Sequence, residues 1–497
     1  MGYLLAVDVG TSSCRAVLYT SELKEMGWAS QSYDLLTPEP GYAEQDPDTI
    51  FHALLQVIRK CVEQAAVDKH SITTMSWGTV MHSMIALDSQ KRPLTKVWTW
   101  ADTRSVSQAA ALESSFGMDF YERTGCPIHA MYWPAKIRYL QEEQPKIWTE
   151  TRFLVSLKEY LLLRFTGQLI VDESVASTTG LWNIQERQWD PTILAAIGLR
   201  EELLSPSADP LTIWKGITSK TSSLTGLRQD IEIVLGCSDG ALSNVGSGAL
   251  SPGIMAYMVG TSGAVRVTSE RPLLHPQGNT WCYYIAQDLW IVGGASNNGG
   301  NVLKWFRDNM AGGTVDYEQI SELAAASLPG SNGLLFLPFL AGERFPYDPK
   351  SQGAFLGLTL STEQSDIARA MMEGVAFQLL RIFEDVVKVG SQPTEIRVTG
   401  GIVNSPVWLE IVANVLGREL VIPLVKEASA LGAAMLALVA TKELGDLQDA
   451  AGFVEISHIV QPQEKIREIY LEKYALYKEI ERLQIPSIRT RGASGIE

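Results

Sequence analysis

The chain has 497 residues, enough for roughly two to four domains of ~100–200 residues each, and its 46% hydrophobic and 20% charged content is that of a folded protein and excludes wholesale disorder. Its 41 Lys and Arg against 56 Asp and Glu leave a net charge of −15, which repels phosphate backbones and anionic lipid and disfavours nucleic acid or a membrane surface as the main partner. Five cysteines without a CxxC pair argue against a disulfide framework and a structural zinc site, and an N-terminus with no basic n-region predicts a cytoplasmic protein.

In chain order, residues 3–9 are an apolar run ended by Gly10-Thr11-Ser12, and a β-rich run follows at 15–19. The pattern predicts a hairpin with small polar residues at its tip. Apolar spacing predicts a helix over 48–66. Residues 72–77 and 83–87 read as strands around a turn containing Gly78, and 190–232, rich in Pro, Ser and Thr, reads as surface and connector. A buried-strand pattern at 231–236 ends at Cys237-Ser238-Asp239-Gly240, and a Gly-rich second half follows a boundary near 245–252. A helix is predicted over 464–482, then a loose tail at 485–497. The longest apolar run, 430–440, is roughly half a bilayer span. Strands alternating with helices make this an α/β protein.

One motif occurs twice. Gly10-Thr11-Ser12 is echoed by Gly260-Thr261-Ser262, and each copy lies between two β-rich runs. Gly-Thr-Ser is a common turn, but the matched flanks and the even split of the chain favour a duplicated domain. The P-loop motif, the third glycine of a dinucleotide fingerprint and H-E-x-x-H are all missing. Gly236-Cys237-Ser238-Asp239-Gly240 does match the G-x-S-x-G elbow of hydrolases, with no supporting histidine motif.

A Gly-Thr-Ser tip offers backbone N–H groups and hydroxyls, the donors that phosphate oxygens need. Two such tips facing each other would clamp a polyphosphate between two domains. Asp8, at the end of the first strand, cannot approach a phosphate directly but can hold Mg²⁺ through water. Asp239, at the end of another strand, suits a general base for a substrate hydroxyl or, more plainly, a helix cap.

The residues that carry a family resemblance are Gly353 to Leu358 followed by Asp366 to Glu373, together with both Gly-Thr-Ser tips, Asp8 and Asp239. They resemble the FGGY family of carbohydrate kinases from Asp8 to about Ala440. A second family signature, around Met131 to Leu140, is degraded: Trp133 stands for a small residue and Tyr139 for a tryptophan. The resemblance implies two actin-like (ribonuclease H-like) α/β domains with an interdomain cleft. Residues 1–247 would form the sugar-binding N-terminal domain, 248–445 the nucleotide-binding C-terminal domain, and 446–497 a helical extension. ATP and Mg²⁺ would be the cofactors, and a homodimer is common in the family. Asp8, Gly10, Thr11, Ser12 and Arg15 would form the first phosphate loop and Gly260, Thr261 and Ser262 the second. Gly300 and Lys304 would border the nucleotide, as would Gly401, Asn404 and Ser405 of the adenosine motif. Asp239 would be the catalytic base and, with Asp8, face the metal.

Met81-His82 stands where glycerol kinases carry Arg-Glu, which disfavours glycerol. Trp98 to Ser105 resembles the W-A-D-x-R-S form of gluconate-phosphorylating members. That resemblance implies D-gluconate, contacted by Met81, His82, Trp100, Asp102, Arg104, Tyr132 and Asp239, with Arg104 a partner for its carboxylate. Lys136 lies near the degraded signature. Two alternatives stand: a xylulokinase-like pentulose kinase, and a catalytically silent actin-like sensor of nucleotide or sugar.

Overall fold

A computed structural model describes residues 2–344, 351–390 and 392–482. The predicted tail at 485–497 lies outside them. The chain forms two compact units: one holds residues up to Ser251 with Thr268–Val292 and Val425–Val454, the other Pro252–Val267, Gly293–Leu424 and the residues from Glu455.

The first unit is built on β1 (Tyr3–Val9), β2 (Ser13–Tyr19), β3 (Glu25–Ser32), β4 (Ile72–Thr79), β5 (Ile213–Lys215) and β6 (Glu232–Ser238). Their order is β5-β6-β4-β1-β2-β3. β1 runs antiparallel to β2 and parallel to β4, and β4 parallel to β6. Both faces of the sheet are covered, so β1 alternates between two cores with a period of two. Leu5, Val7 and Val9 join the helix Pro47–Ala65. Leu4 and Ala6 join the helix Ala428–Ala440. Asp8 follows the second set.

The helix Ala428–Ala440 departs from the linear split at 248–445. It is apolar on nearly every side and buries Ala433, Ala434, Met435, Leu436 and Ala437 against Leu4, Val234 and Leu242 of the first unit. A helix without a polar face needs an enclosed place, and this core supplies it. The 190–232 stretch is also more than connector, because β5 pairs antiparallel with β6 and completes the sheet.

The second unit repeats the plan with β7 (Ile254–Val259), β8 (Gly263–Ser269), β9 (Trp290–Ser296), β10 (Glu395–Thr399), β11 (Leu420–Pro423) and β12 (Ile456–Val460), in the order β9-β8-β7-β10-β11-β12. β7 is antiparallel to β8 and parallel to β10, β10 is parallel to β11, and β11 is antiparallel to β12. Six of its strands follow the order of the first sheet, and a seventh, Trp281–Tyr284, is added beyond β9, so the echo of Gly-Thr-Ser marks a duplicated architecture. The C-terminal helix is Glu464–Arg482, as its spacing predicts.

The family-like stretch at 366–373 is structural here. Asp366 accepts from the Ser327 hydroxyl (2.6 Å) and the Asn332 amide (2.8 Å). Glu373, fully buried, pairs with Arg369 (3.1 Å) and Lys473 (2.7 Å) and accepts from the Tyr470 hydroxyl (2.9 Å). The stretch thereby fastens the helix Gln364–Val389 to the C-terminal helix. Among the described residues no helix is long and apolar enough to cross a membrane.

Candidate active site

The first unit gathers its acids at the carboxyl edge of the parallel strands, where α/β sheets commonly bind ligands. Asp8 is in register with Gly78 of β4, and Gly78 with Cys237 of β6. Asp8 and Asp239 therefore leave strands β1 and β6 at the same edge, with β4 between them and two strand spacings, roughly 10 Å, across. β6 reaches that edge through a bulge between Val234 and Cys237. Gly236 sits there at φ +72°, and a Cβ on it would lie 2.0 Å from the Trp77 carbonyl oxygen. Only glycine fits that approach.

Asp239 opens the helix Asp239–Gly246 as its first residue and is half-buried. The N-cap is Ser238, so Asp239 is not the cap. Its Oδ1 accepts from the Gly240 amide at 2.8 Å, and its carbonyl from the Ser429 hydroxyl at 3.4 Å. Ser238, the would-be nucleophile of G-x-S-x-G, is fully buried with its hydroxyl 3.3 Å from that of Ser174. A hydrolase elbow needs that hydroxyl exposed, so the hydrolase reading falls.

Asp8 is buried and pairs with Arg15 at 3.1 Å, and Arg15 also pairs with Glu427 at 3.2 Å. Burial raises the Asp8 carboxyl above its usual range, against the pull of Arg15. Its Oδ1 is buried without a hydrogen-bond partner. An orphaned carboxylate oxygen is expensive, and a hydrated divalent cation is a fitting partner for it. Glu427 carries no local motif and went unnoticed in the sequence.

The first tip has its carbonyls taken. Gly10 accepts from the Tyr33 hydroxyl (2.6 Å), Thr11 from the Gln45 amide (2.6 Å), and Ser12 from the Tyr33 backbone N–H (3.1 Å). What remains for a ligand is donors. In the second unit the Gly260 carbonyl accepts from Gly300 N–H (2.7 Å) and the Thr261 carbonyl from Asn301 N–H (3.1 Å). Both tips thus show the same polarity, fit for an anion. Lys304 is exposed one turn beyond Gly300 and pairs with Asp308 at 3.2 Å. Gly401 and Asn404 are exposed. Ser405 is buried as the N-cap of the helix Pro406–Leu416, its hydroxyl 2.7 Å from that of Ser321, so it serves the fold rather than a nucleotide.

Around the expected substrate segment, His82 holds a left-handed backbone at φ +63°. Its Nδ1 lies 2.7 Å from the Thr178 carbonyl. A carbonyl only accepts, so Nδ1 carries a proton there. The ring stands edge-on to Tyr132 (5.0 Å) and Tyr283 (5.7 Å), whose hydroxyls are 2.6 Å apart. Tyr283 stacks on Trp281 at 4.4 Å; neither was legible as a site residue. Met81 is half-buried against the core. Lys136 is fully buried and donates to the carbonyls of His82 (2.7 Å), Thr99 (2.9 Å) and Trp98 (3.3 Å), which fixes the His82 backbone.

Two expectations need correction. Asp102 is fully buried and accepts from the Ala43 amide (2.8 Å) and from Arg104 (2.8 and 2.7 Å). The Arg104 side chain is 2% exposed, reaches Glu44 at 2.5 Å and lies over the rings of Tyr42 (3.7 Å) and Trp98 (4.3 Å). These groups satisfy each other, so Asp102 is not presented to a hydroxyl nor Arg104 to a carboxylate. Trp100 is half-buried, and its indole N–H donates to the Thr11 hydroxyl oxygen at 2.8 Å.

Comparison with known proteins matches this arrangement to one family. The model of the FGGY carbohydrate kinase N-terminal domain covers residues 3–246, and that of the C-terminal domain covers 255–441. The chain belongs to the FGGY family of carbohydrate kinases. A gluconokinase from Bacillus licheniformis is 34% identical, over 97% of this chain and 96% of its own. The crystal structure of a gluconate kinase from Lactobacillus acidophilus superposes with a TM-score of 0.92 at 30% identity, covering 98% of this chain and 99% of that one. A ligand-bound xylulose kinase from the same organism gives 0.93 at 30% identity, over 99% and 100%. This FGGY kinase thus carries the family fold at full length.

Proposed function

We propose that this FGGY kinase transfers the γ-phosphoryl group of ATP to the terminal hydroxyl of D-gluconate, giving 6-phospho-D-gluconate in the cytoplasm. The observation that carries the reading is the strand-edge pair of acids, Asp8 and Asp239, beside a donor-only Gly-Thr-Ser tip. Likeness to gluconokinase over nearly the whole chain supports gluconate among sugar substrates.

Asp239 takes the proton of the attacking hydroxyl, oriented by its place at a helix start and by the Gly240 amide. The hydroxyl oxygen attacks the γ-phosphorus in line. Donors of the first tip, Thr11 and Ser12, stabilise the spreading charge on the phosphoryl oxygens, and the Thr261–Ser262 tip of the second unit is fit for the same kind of anion. Asp8, with its orphaned Oδ1, would hold Mg²⁺, which when bound neutralises phosphate charge. Arg15, held between Asp8 and Glu427, adds a cation at the same edge. His82 contacts the substrate, and Tyr132 and Tyr283 stand edge-on to its ring. Gly401 and Asn404 border the adenosine.

A second reading has support of its own. The likeness to a xylulose kinase is as close in structure as that to a gluconate kinase, and no free cation for a carboxylate comes from Arg104. ADP release with Mg·ATP against gluconate, D-xylulose, L-ribulose, glycerol and a no-sugar control separates the two. Turnover with gluconate above all others is the expected outcome. Preference for a ketopentose would overturn the substrate, and ATP binding without transfer to any polyol would favour a sensor.

A further inference from the structure

The segment expected to read the sugar is tied to the phosphate loop instead. Glu44–Gln45 pairs antiparallel with Val97–Trp98 in a short ribbon, with Glu44 opposite Trp98 and Gln45 opposite Val97. The Thr99 hydroxyl donates to the Ala43 carbonyl (2.8 Å), and Asp102 accepts from the Ala43 amide (2.8 Å). Arg104 then bridges Asp102 to Glu44. The ribbon is thus locked at both strands by buried charge, a costly arrangement that fixes geometry.

Its two strands close on one residue. Gln45, fully buried, donates from Nε2 to the Thr11 carbonyl at 2.6 Å. Trp100 donates from its indole N–H to the Thr11 hydroxyl oxygen at 2.8 Å. An indole can only donate, so Thr11 must accept there and its own hydroxyl proton is left to point elsewhere.

We propose that this ribbon is a clamp for the first phosphate loop: Gln45 and Trp100 are positioning residues that hold Thr11 with its hydroxyl proton and amide directed at a phosphate oxygen. The Asp102–Arg104–Glu44 lock is the clamp's frame. The inference rests on the reading of the first Gly-Thr-Ser tip as a phosphate loop and is independent of which sugar is phosphorylated.

The test is calorimetric binding of the non-hydrolysable Mg·AMPPNP to the full chain, without sugar, for wild type, Thr11→Val, Thr11→Ser, Trp100→Phe and Trp100→Phe/Thr11→Val. A lost hydrogen bond to a charged group is worth about tenfold or more in Kd. Thr11→Val should weaken binding by about that factor and Thr11→Ser should keep it. Trp100→Phe, which keeps the ring and removes the N–H, should weaken it several-fold, and the double variant should be no weaker than Thr11→Val. Thermal melting of each variant checks folding, with Gln45→Glu as a second probe of the clamp that keeps the side-chain length and removes the N–H donors. Unchanged affinity in Thr11→Val would overturn the phosphate-loop reading itself. A weakened Thr11→Val beside an unchanged Trp100→Phe, or losses that add in the double variant, would overturn the clamp and leave the loop standing.

Discussion

Gly236→Ala tests how the fold aims Asp239, the proposed base. The new Cβ would sit 2.0 Å from the Trp77 carbonyl oxygen, where carbon contacts settle nearer ~3.5 Å. The strand must retreat by at least about 1 Å at a point three residues before Asp239. The φ of +72° adds about 1–2 kcal/mol for a residue with a side chain, and overpacking adds about 1–3 kcal/mol. A loss of ~2–5 kcal/mol is therefore expected in urea unfolding. Misplacing a reacting group by ~1 Å costs on the order of 10²-fold in rate. Coupled ADP release should show kcat lower by about that factor, with a smaller change in the KM for ATP. A destabilised variant with the wild-type kcat would refute the link from the bulge to the position of Asp239, and wild-type stability would refute the packing argument as well.

Other outcomes follow from the same geometry. Asp239→Asn should lower kcat about 10²–10⁴-fold, the usual share of a general base, with an unchanged circular dichroism spectrum; normal turnover would remove the assignment. Arg104→Met breaks a buried pair and should cost about 3–5 kcal/mol of stability while raising the KM for ATP and treating gluconate and D-xylulose alike; a KM rise confined to gluconate would return Arg104 to the substrate carboxylate. Glu159 caps the helix Leu157–Thr166 through a 2.6 Å bond from the Ser156 amide, and burial pushes its carboxyl from 4.5 to about 7. The folded chain therefore binds this proton more tightly than the unfolded one, so the associated stability is full below pH 4.5 and is lost as pH rises through 7. Glu159→Gln should gain on wild type by up to ~3 kcal/mol between those limits and hold a constant difference above them; a flat difference across pH 4–8 would disprove it.

What the sequence made legible is what local pattern can encode. Each Gly-Thr-Ser tip follows an apolar run that alternates between two buried faces, and Asp239 closes such a run, so both hairpins and the strand-end place of Asp239 could be read from a few residues. The partners that give those residues their chemistry come from far along the chain. Gln45 and Tyr33 meet the first tip, Glu427 meets Arg15, and Tyr283 meets Tyr132 only after folding. Nothing in their neighbourhoods marks them.

The two misread groups share one cause. Asp102-Thr103-Arg104 and Ser405 are polar residues within family-like motifs, which in a sequence suggests exposure to ligand. Burial reverses that, because a buried charge or hydroxyl must first be satisfied by its neighbours. Arg104 is spent on Asp102 and Glu44, and Ser405 on its own helix and Ser321. The same logic explains why the stretch most diagnostic of the family says little about substrate. Asp366 is held by Ser327 and Asn332, and Arg369 and Glu373 join the C-terminal helix, so in this chain they serve the fold rather than the sugar. A test that discriminates gluconate from a ketopentose is therefore exchange of the residues around His82, such as Met81 and Tyr132, rather than of the buried Asp102–Arg104 pair.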